Sequence, residues 1–196
     1  MLQTIDLLQD NKPNKTKQTV KIVIRNAKMS DLNKMKEINE RCLQENYNIE
    51  FWHEIWNTNK SCCFVAVFSG MIIGYVLSSA NDIVSFAVDE EYRNKKVGKE
   101  LMKNVLNNFK SDVRLNVRIS NDAARMLYKN LGFTDDTTVK DYYRNPVEDS
   151  IEMVKKYDKT SVKYITNEKM KITINDNNVN NNKVKTTESI SVSSSN

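Results

Sequence analysis

The stretch YRNKKVGKELM, residues 92–102, concentrates positive charge next to a glycine. Four cations, Arg93, Lys95, Lys96 and Lys99, surround Gly98, where an apolar run ends and a helical pattern begins. The first N–H groups of a helix lack partners within the helix and its dipole is positive there, so this arrangement favours an anion such as a phosphate. The alternative is a lysine-rich helix start that is only solvated. The patterns GxxxxGK[ST] and GxGxxG are absent, which excludes the P-loop and the dinucleotide-binding fingerprint.

Charge and composition limit the class of protein. The 196 residues carry 30 Lys and Arg against 25 Asp and Glu, a net charge of +5. This excess permits an anionic ligand, nucleic acid or an acidic surface as partner, without requiring any of them. Aromatic residues are not interleaved with the cations on one strand or helix, so the pattern argues against nucleic acid as a substrate.

Cysteine and histidine content predicts that the protein holds no metal. The chain has one histidine, His53, and the cysteines Cys42, Cys62 and Cys63 form no CxxC pair. We interpret the cysteines as reduced thiols, without a neighbouring base to make them nucleophiles. No run approaches membrane-spanning length and the start lacks an apolar signal core, so we expect a soluble cytoplasmic protein with no membrane partner.

The hydrophobic pattern predicts one folded domain between two polar ends. Residues 1–19 and the Asn/Ser/Lys-rich tail 158–196 are predicted to be disordered. Residues 20–157 are predicted to form strands and helices in the order β-α-α-β-β-β-α-β-α-β-β, an α+β (mixed α/β) pattern. Trp52 and Trp56, on the second helix, are either core residues or part of a partner surface.

Three motifs in this order, IVSFAVDEEYRNKKVGKELM, LNVRISNDAARMLYKNLGF and DYYRNPVEDSIEM, resemble the GNAT acetyltransferase superfamily and specifically its protein N-terminal acetyltransferases. The resemblance spans Ile22 to Lys155. The segment IRNAKMSDLNKMKEINERCLQENYNIEFW is similar to the start of the NatA catalytic subunit, and YNIEFW also resembles NatE and the bacterial enzyme RimI. The resemblance implies the GNAT fold, a mostly antiparallel twisted sheet of about seven strands with flanking helices and a splayed strand pair.

The resemblance also implies acetyl-CoA as co-substrate, lying between the splayed strands. Its pantetheine arm would pair with the backbone of Phe86, Ala87 and Val88. The residues implied for the diphosphate are Arg93, Asn94, Lys95, Lys96, Val97, Gly98 and Lys99. Asn121 is similar to a family asparagine that contacts the CoA arm, and it also suits the N-cap of the helix that follows.

Lys96 departs from the family pattern. The signature is Gln/Arg-x-x-Gly-x-Gly/Ala, and residues 93–98 read RNKKVG, so a lysine stands where the family keeps its first glycine. Glycine there lets the backbone approach the phosphates. Lys96 either adopts the same turn or weakens the site, and its ammonium could offset part of the loss by pairing with a phosphate.

Two residues carry the chemistry that the resemblance implies. Glu45, in LQENY, matches the catalytic glutamate of the NatA subunit and is the predicted general base. RimI instead has a glutamate at the position of Asn116, which favours the NatA-like assignment. Tyr128, in MLYKNLGF, matches the tyrosine beside the CoA sulfur and is the predicted general acid. The alternatives are an exposed carboxylate near a helix end and a tyrosine that is ordinary core.

The predicted substrate-binding residues lie in three separate segments. Tyr47, Tyr142 and Tyr143 correspond to tyrosines that clamp the first residues of the peptide, and Arg118 matches a supporting arginine. The predicted reaction is therefore direct acetyl transfer from acetyl-CoA to the N-terminal α-amine of proteins or peptides. An auxiliary subunit and the ribosome are further partners that a NatA-like protein would have, whereas a RimI-like protein would act alone. The alternatives are a GNAT enzyme acting on lysine or a small amine, and a degenerate CoA-binding subunit.

Overall fold

The computed structural model describes residues 3–7 and 20–158, with the backbone alone for 3–7 and Val20. The eight described strands are β1 Gln3–Leu7, β2 Val20–Asn26, β3 Phe64–Phe68, β4 Met71–Ser79, β5 Asp82–Val88, β6 Val113–Arg118, β7 Thr134–Arg144 and β8 Val147–Lys155. The α-helices within this part of the chain are α1 Leu32–Cys42, α2 Ile49–Thr58, α3 Val97–Leu106 and α4 Asp122–Asn130. This order confirms the predicted mixed α/β fold class.

The strands form one sheet in the order β1-β2-β3-β4-β5-β6-β8-β7. Neighbouring strands are antiparallel except β5 and β6, which are parallel. The parallel pair follows from the chain path, because α3 carries the chain from the end of β5 back to the start of β6. The predicted mostly antiparallel sheet is confirmed.

Strand β1 was not expected. It lies in the segment 1–19, for which we predicted disorder, so that prediction is wrong for residues 3–7. The strand pairs antiparallel with β2, from Gln3 opposite Ile24 to Leu7 opposite Val20. An edge strand such as β2 would present unpaired backbone groups, which another segment can pair with whatever its composition. Residues 8–19 and 159–196 lie outside the described residues, and disorder there stays a prediction.

Helices cover both faces of the sheet because successive strand residues point to opposite faces. Helices α1 and α2 pack over a cluster that includes Val65, Tyr75 and Leu77. Helices α3 and α4 cover the other face, over a cluster that includes Ala66 and Val76. No helix within the described part of the chain is long and apolar enough to span a bilayer.

The two tryptophans of α2 belong to the core and not to a partner surface. Trp52 is fully buried and its ring meets that of Tyr75 edge-on at 5.3 Å between centroids. Trp56 is 8% exposed and its Nε1 donates a hydrogen bond to the Ala27 carbonyl at 3.1 Å. Helix α2 is therefore anchored to the sheet by its two largest side chains.

Replacing Trp52 with alanine is expected to lower the free energy of unfolding by about 3–5 kcal/mol, because a large side chain leaves a cavity that the core only partly refills. The measurement is urea denaturation followed by circular dichroism. The control is Ile55→Ala on the same helix, a half-buried position with a smaller expected loss. Equal losses for the two variants would contradict the assignment of Trp52 to the core.

Candidate active site

Strands β5 and β6 separate after two paired residues. Their parallel pairing covers only Asp82 opposite Arg114 and Ile83 opposite Leu115. Beyond that point β5 continues to Val88 beside β4, and β6 continues to Arg118 beside β8. The two strands thus diverge while each keeps its outer neighbour, which opens a wedge in the middle of the sheet.

The wedge exposes hydrogen-bonding groups of the β5 backbone. The Asp89 N–H donates to the Ile73 carbonyl at 2.9 Å, so Asp89 faces β4. Because alternate residues of a strand direct their N–H and C=O groups to opposite edges, Val88 and Phe86 face the wedge and Ala87 faces β4. The Val88 carbonyl accepts from Arg93 Nε at 3.1 Å. On the wedge side the Phe86 backbone has no strand partner among the described residues, because the β5–β6 pairing ends at Ile83.

The basic turn lies between the end of β5 and the start of α3. Helix α3 begins at Val97, and the Lys96 carbonyl accepts its first hydrogen bond, from Glu100 N at 3.1 Å. The N–H groups of Val97, Gly98 and Lys99 have no acceptor within the helix, which makes this helix start suitable for an anion. The exposed side chains that surround it are Arg93, Asn94, Lys95, Lys96 and Lys99.

Gly98 brings the helix start into contact with β5. A Cβ atom at this position would lie 3.0 Å from the Phe86 Cζ atom and 3.6 Å from Val88 Cγ2. A larger residue would therefore have to displace the Phe86 side chain. The close packing places the predicted diphosphate turn directly beside the predicted pantetheine strand.

Lys96 adopts a backbone conformation that glycine reaches at no steric cost. Its φ angle is +65°, in the left-handed region, and it serves as the N-cap residue of α3. This conformation costs a non-glycine residue about 1–2 kcal/mol. A left-handed backbone at Lys96 is compatible with the first alternative, and the effect of the lysine on CoA binding stays a prediction.

Asn121 caps α4, as its sequence position suggested. Its side-chain oxygen accepts a hydrogen bond from the Ala124 N–H at 3.1 Å. The cap uses the oxygen, and the side-chain amide nitrogen stays available as a donor. The cap therefore does not conflict with the CoA contact that was expected of this residue.

Arg118 joins the predicted base to the β7–β8 hairpin. One Nη atom donates to Glu45 Oε1, and the other donates to Glu148 Oε2 at 2.9 Å. The same guanidinium also donates to the carbonyls of Asn145 and Pro146, both at 3.2 Å. The side chains of Arg118 and Glu45 are 12% and 28% exposed. The fold thus fixes the Glu45 carboxylate at the end of β6, on one side of the wedge.

The predicted substrate tyrosines gather around this ion pair. The Tyr143 ring lies 4.2 Å from the Arg118 guanidinium carbon and meets the Tyr142 ring edge-on at 5.0 Å. Burial and then the charge of Glu45 raise the pKa of Tyr143. Burial, followed by Tyr142 and Glu45, raises the pKa of Tyr47. The contacts of Arg118 with Glu45 and with Tyr143 show that side chains from three distant segments share one site.

Tyr128 is both a core residue and an available donor. Its ring is buried on α4 and lies 6.3 Å from that of Phe86 and 5.9 Å from that of Phe133. Burial raises its pKa, so the hydroxyl is protonated. Among the described residues no group hydrogen-bonds this hydroxyl, so it is free to donate to a ligand. A ligand in the wedge beside Phe86 would supply an acceptor.

Comparison with known proteins identifies the architecture that holds this site. The model of the acetyltransferase (GNAT) family matches residues 32–133, slightly more than half of the chain. The chain belongs to the GNAT acetyltransferase family. The residues present fit its co-substrate acetyl-CoA, because the wedge offers an open backbone edge and the α3 start offers unpaired N–H groups next to cations.

Relatives of this GNAT protein include named N-terminal acetyltransferases. It is 32% identical over 141 residues to an N-alpha-acetyltransferase of Sulfurisphaera tokodaii, covering 61% of this chain and 84% of that protein. It is 34% identical over 147 residues to an N-terminal acetyltransferase complex ARD1 subunit homolog of Dictyostelium discoideum, covering 68% and 72%. The crystal structure of Ard1 from Thermoplasma volcanium superposes with a TM-score of 0.66 at 26% identity, covering 70% of this chain and 99% of that one.

Sequence reasoning missed two residues in this GNAT site, Glu148 and Asn39. Glu148, the second partner of Arg118, lies in a strand pattern that marks no carboxylate as special. Asn39 supports the Glu45 backbone by donating to its carbonyl at 2.6 Å. A signal for Asn39 was available, since it is a polar residue one helical turn after Met35 on the apolar face of α1.

No group of three or more His, Cys, Asp or Glu within the described residues could hold a metal ion.

Lys96→Gly is expected to change the Kd for acetyl-CoA by less than about fivefold, since glycine keeps the turn and only an exposed cation is lost. Gly98→Val should weaken binding by about tenfold or more, because its side chain would displace Phe86. Isothermal titration calorimetry measures both. A wild type that binds no acetyl-CoA, beside a Lys96→Gly variant that does, would mean that the lysine spoils the site.

Glu148 is expected to make stability depend on pH in the acid range. Hydrogen bonds from Ser120, followed by that from Arg118, lower its pKa from 4.5 to about 2. A lowered pKa means that the contribution is present above pH 4.5 and is lost as the pH falls towards 2. In urea denaturation over this range, the wild type should lose stability more steeply than Glu148→Gln. Parallel curves would contradict the hydrogen bonds that Glu148 accepts here.

Proposed function

We propose that this GNAT protein acetylates the N-terminal α-amine of polypeptides with acetyl-CoA as donor. The observation that carries the proposal is the grouping of Glu45, Arg118 and the tyrosines Tyr47, Tyr142 and Tyr143 beside the β5–β6 wedge. Aromatic side chains with polar tips suit a peptide backbone, which presents both apolar and hydrogen-bonding groups. The similarity to named N-alpha-acetyltransferases supports the same substrate.

The reaction is a direct displacement. The neutral amine attacks the thioester carbon, a new C–N bond forms, and the C–S bond breaks to release the thiolate. Glu45 accepts the amine proton, directly or through one water molecule. Arg118 holds the Glu45 carboxylate in place at the end of β6, so the base does not need to be ordered during the reaction.

Tyr128 acts on the leaving group. Its ring contacts Phe86, so its hydroxyl lies on the side of α4 that faces the predicted pantetheine strand. Burial disfavours the phenolate, and this keeps the hydroxyl a hydrogen-bond donor to the developing thiolate. We therefore assign Tyr128 the general-acid role by donation to sulfur.

The cellular location and the partners of the enzyme are proposed on the same basis. We place the enzyme in the cytoplasm, acting on nascent or mature polypeptides, in keeping with its similarity to a subunit of an N-terminal acetyltransferase complex. The resemblance to the NatA subunit implies that an auxiliary subunit would contact α1 and α2. The tryptophans of α2 would not form that contact, because they are buried in the core. Co-purification from the native organism, with ribosomes present and absent, distinguishes a complexed enzyme from one that acts alone.

The test is acetyl transfer to a panel of short peptides with free N-termini, measured by mass spectrometry. Glu45→Gln is expected to lower kcat by about 100-fold or more, and Tyr128→Phe by about tenfold or more, because each removes a proton-handling group. The matched controls are Glu54→Gln, an exposed carboxylate of α2, and Tyr157→Phe, after β8. Both controls should retain wild-type rates.

Peptides with a blocked N-terminus and a free lysine separate the other functions. Turnover of these peptides alone would indicate a lysine acetyltransferase. Acetyl-CoA binding without turnover of any amine would indicate a non-catalytic subunit. Wild-type rates in both Glu45→Gln and Tyr128→Phe would disprove the assigned roles even if the peptides are substrates.

A further inference from the structure

Asn39 is a buried polar residue on the apolar face of α1. Its side chain is 1% exposed, between the fully buried Met35 and Ile38 on one side and the start of the Glu45 loop on the other. A buried amide destabilises the fold unless its donors and acceptor are paired. Its partners therefore explain why an asparagine is accommodated there.

Both ends of the Asn39 side-chain amide have hydrogen-bond partners. Its Nδ2 donates to the Glu45 carbonyl at 2.6 Å and to Asn46 Oδ1 at 2.9 Å. Its Oδ1 lies within hydrogen-bond distance of two hydroxyl donors, that of Tyr75 at 2.8 Å and that of Ser85 at 3.0 Å. A backbone carbonyl can only accept, so the contact with Glu45 fixes which end of the amide is the nitrogen.

Tyr75 and Ser85 complete a closed group, here called the Asn39 network. Their hydroxyl oxygens lie 2.8 Å apart, and both side chains are buried. Each hydroxyl has one proton, so two of the three contacts among Tyr75, Ser85 and Asn39 Oδ1 are hydrogen bonds at any one time. Burial raises the pKa of Tyr75, which keeps its hydroxyl a donor. Satisfied polar networks of this kind rigidify the part of the core in which they lie.

The Asn39 network connects the Glu45 loop to the wedge. Tyr75 stands opposite Ala87 in the pairing of β4 with β5, and Ser85 directly precedes Phe86 in β5. Both hydroxyl-bearing residues therefore belong to the strands that build the pantetheine side of the site. Through Asn39, these strands hold the backbone of the residue that we assign as base.

We infer that Asn39, Tyr75 and Ser85 are positioning residues that set the distance between Glu45 and the thioester bound along β5. The loop 43–48 joins α1 to α2 without helix or strand structure. Arg118 orients the Glu45 carboxylate from the β6 side, and the Asn39 network fixes the Glu45 backbone from the β5 side. The inference rests on the proposed function, since it gives these residues a role through Glu45.

A double-mutant cycle tests whether Asn39 acts through Glu45. Asn39→Ala alone is expected to lower kcat by about 10- to 100-fold, the effect of a small misplacement of a catalytic group. In a Glu45→Gln background the same substitution should add less than about twofold, because the group that it positions is already absent. Equal losses in the two backgrounds would indicate a purely structural role and overturn the inference.

Two more conservative variants distinguish a loss of positioning from a folding defect. Ser85→Ala and Tyr75→Phe each remove one hydroxyl and should lower kcat by about threefold or more, while the Kd for acetyl-CoA is unchanged. The matched control is Ser78→Ala on β4, where the buried hydroxyl donates to the Cys62 carbonyl at 2.6 Å. If Ser78→Ala lowered kcat as much as Ser85→Ala at equal melting temperature, the network would have no special role.

Hydrogen exchange gives a readout that does not depend on activity. The Leu43 N–H, at the start of the loop, donates to the Asn39 backbone carbonyl at 2.8 Å. In Asn39→Ala this amide should exchange faster than in the wild type, while those of α3 are unchanged. Failure of the wild type to acetylate any peptide would count against the proposed function alone. Unchanged exchange at Leu43 would count against the positioning role, whatever the substrate.

Discussion

The site depends on the early separation of β5 from β6. Two pairs of residues hold the strands together, and after Ile83 and Leu115 each strand follows only its outer neighbour. In a continuous sheet the β5 backbone would hydrogen-bond to β6 along its whole length. Here the part of β5 after Ile83 faces the wedge instead. The opening can persist because α1 and α2 cover one face of the sheet and α3 and α4 cover the other. The cofactor turn, the base and the leaving-group donor are all placed relative to this wedge.

Charge compensation holds the substrate side of the wedge together. Arg118, largely buried, has two carboxylate partners, Glu45 and Glu148, and its face packs on Tyr143. A buried guanidinium without such partners would be strongly destabilising. Its two ion pairs connect the end of β6 to the loop before α2 and to the β7–β8 hairpin. The need to compensate one charge thus assembles three segments that are far apart in the chain. On the β5 side of the wedge, the Asn39 network also holds the Glu45 loop in place, through hydrogen bonds between uncharged groups.

Local patterns predicted most of the elements, and the failures have physical causes. The alternation of apolar residues located β2, and helical spacing located α3 and α4, because both periods report which face is buried. Strand β1 was not predicted, because its pairing with β2 uses backbone groups that every residue possesses. The buried state of Trp52 and Trp56 could not be read from the helix alone, because the sequence does not show which surface covers a helix. Asn39 broke the apolar pattern of α1 visibly, yet its partners Tyr75 and Ser85 lie 36 and 46 residues away.

The sequence by itself determined the family-like motifs, the mixed α/β order and the types of residue available for catalysis, because these depend on local spacing. Only the tertiary structure decided how they act together. It gave Lys96 a left-handed backbone at the start of α3, and it paired Glu45 with Arg118 across 73 positions of sequence. Both outcomes arise from packing and charge compensation between segments distant in the chain. These are properties of the folded surroundings, and no local stretch of sequence encodes them.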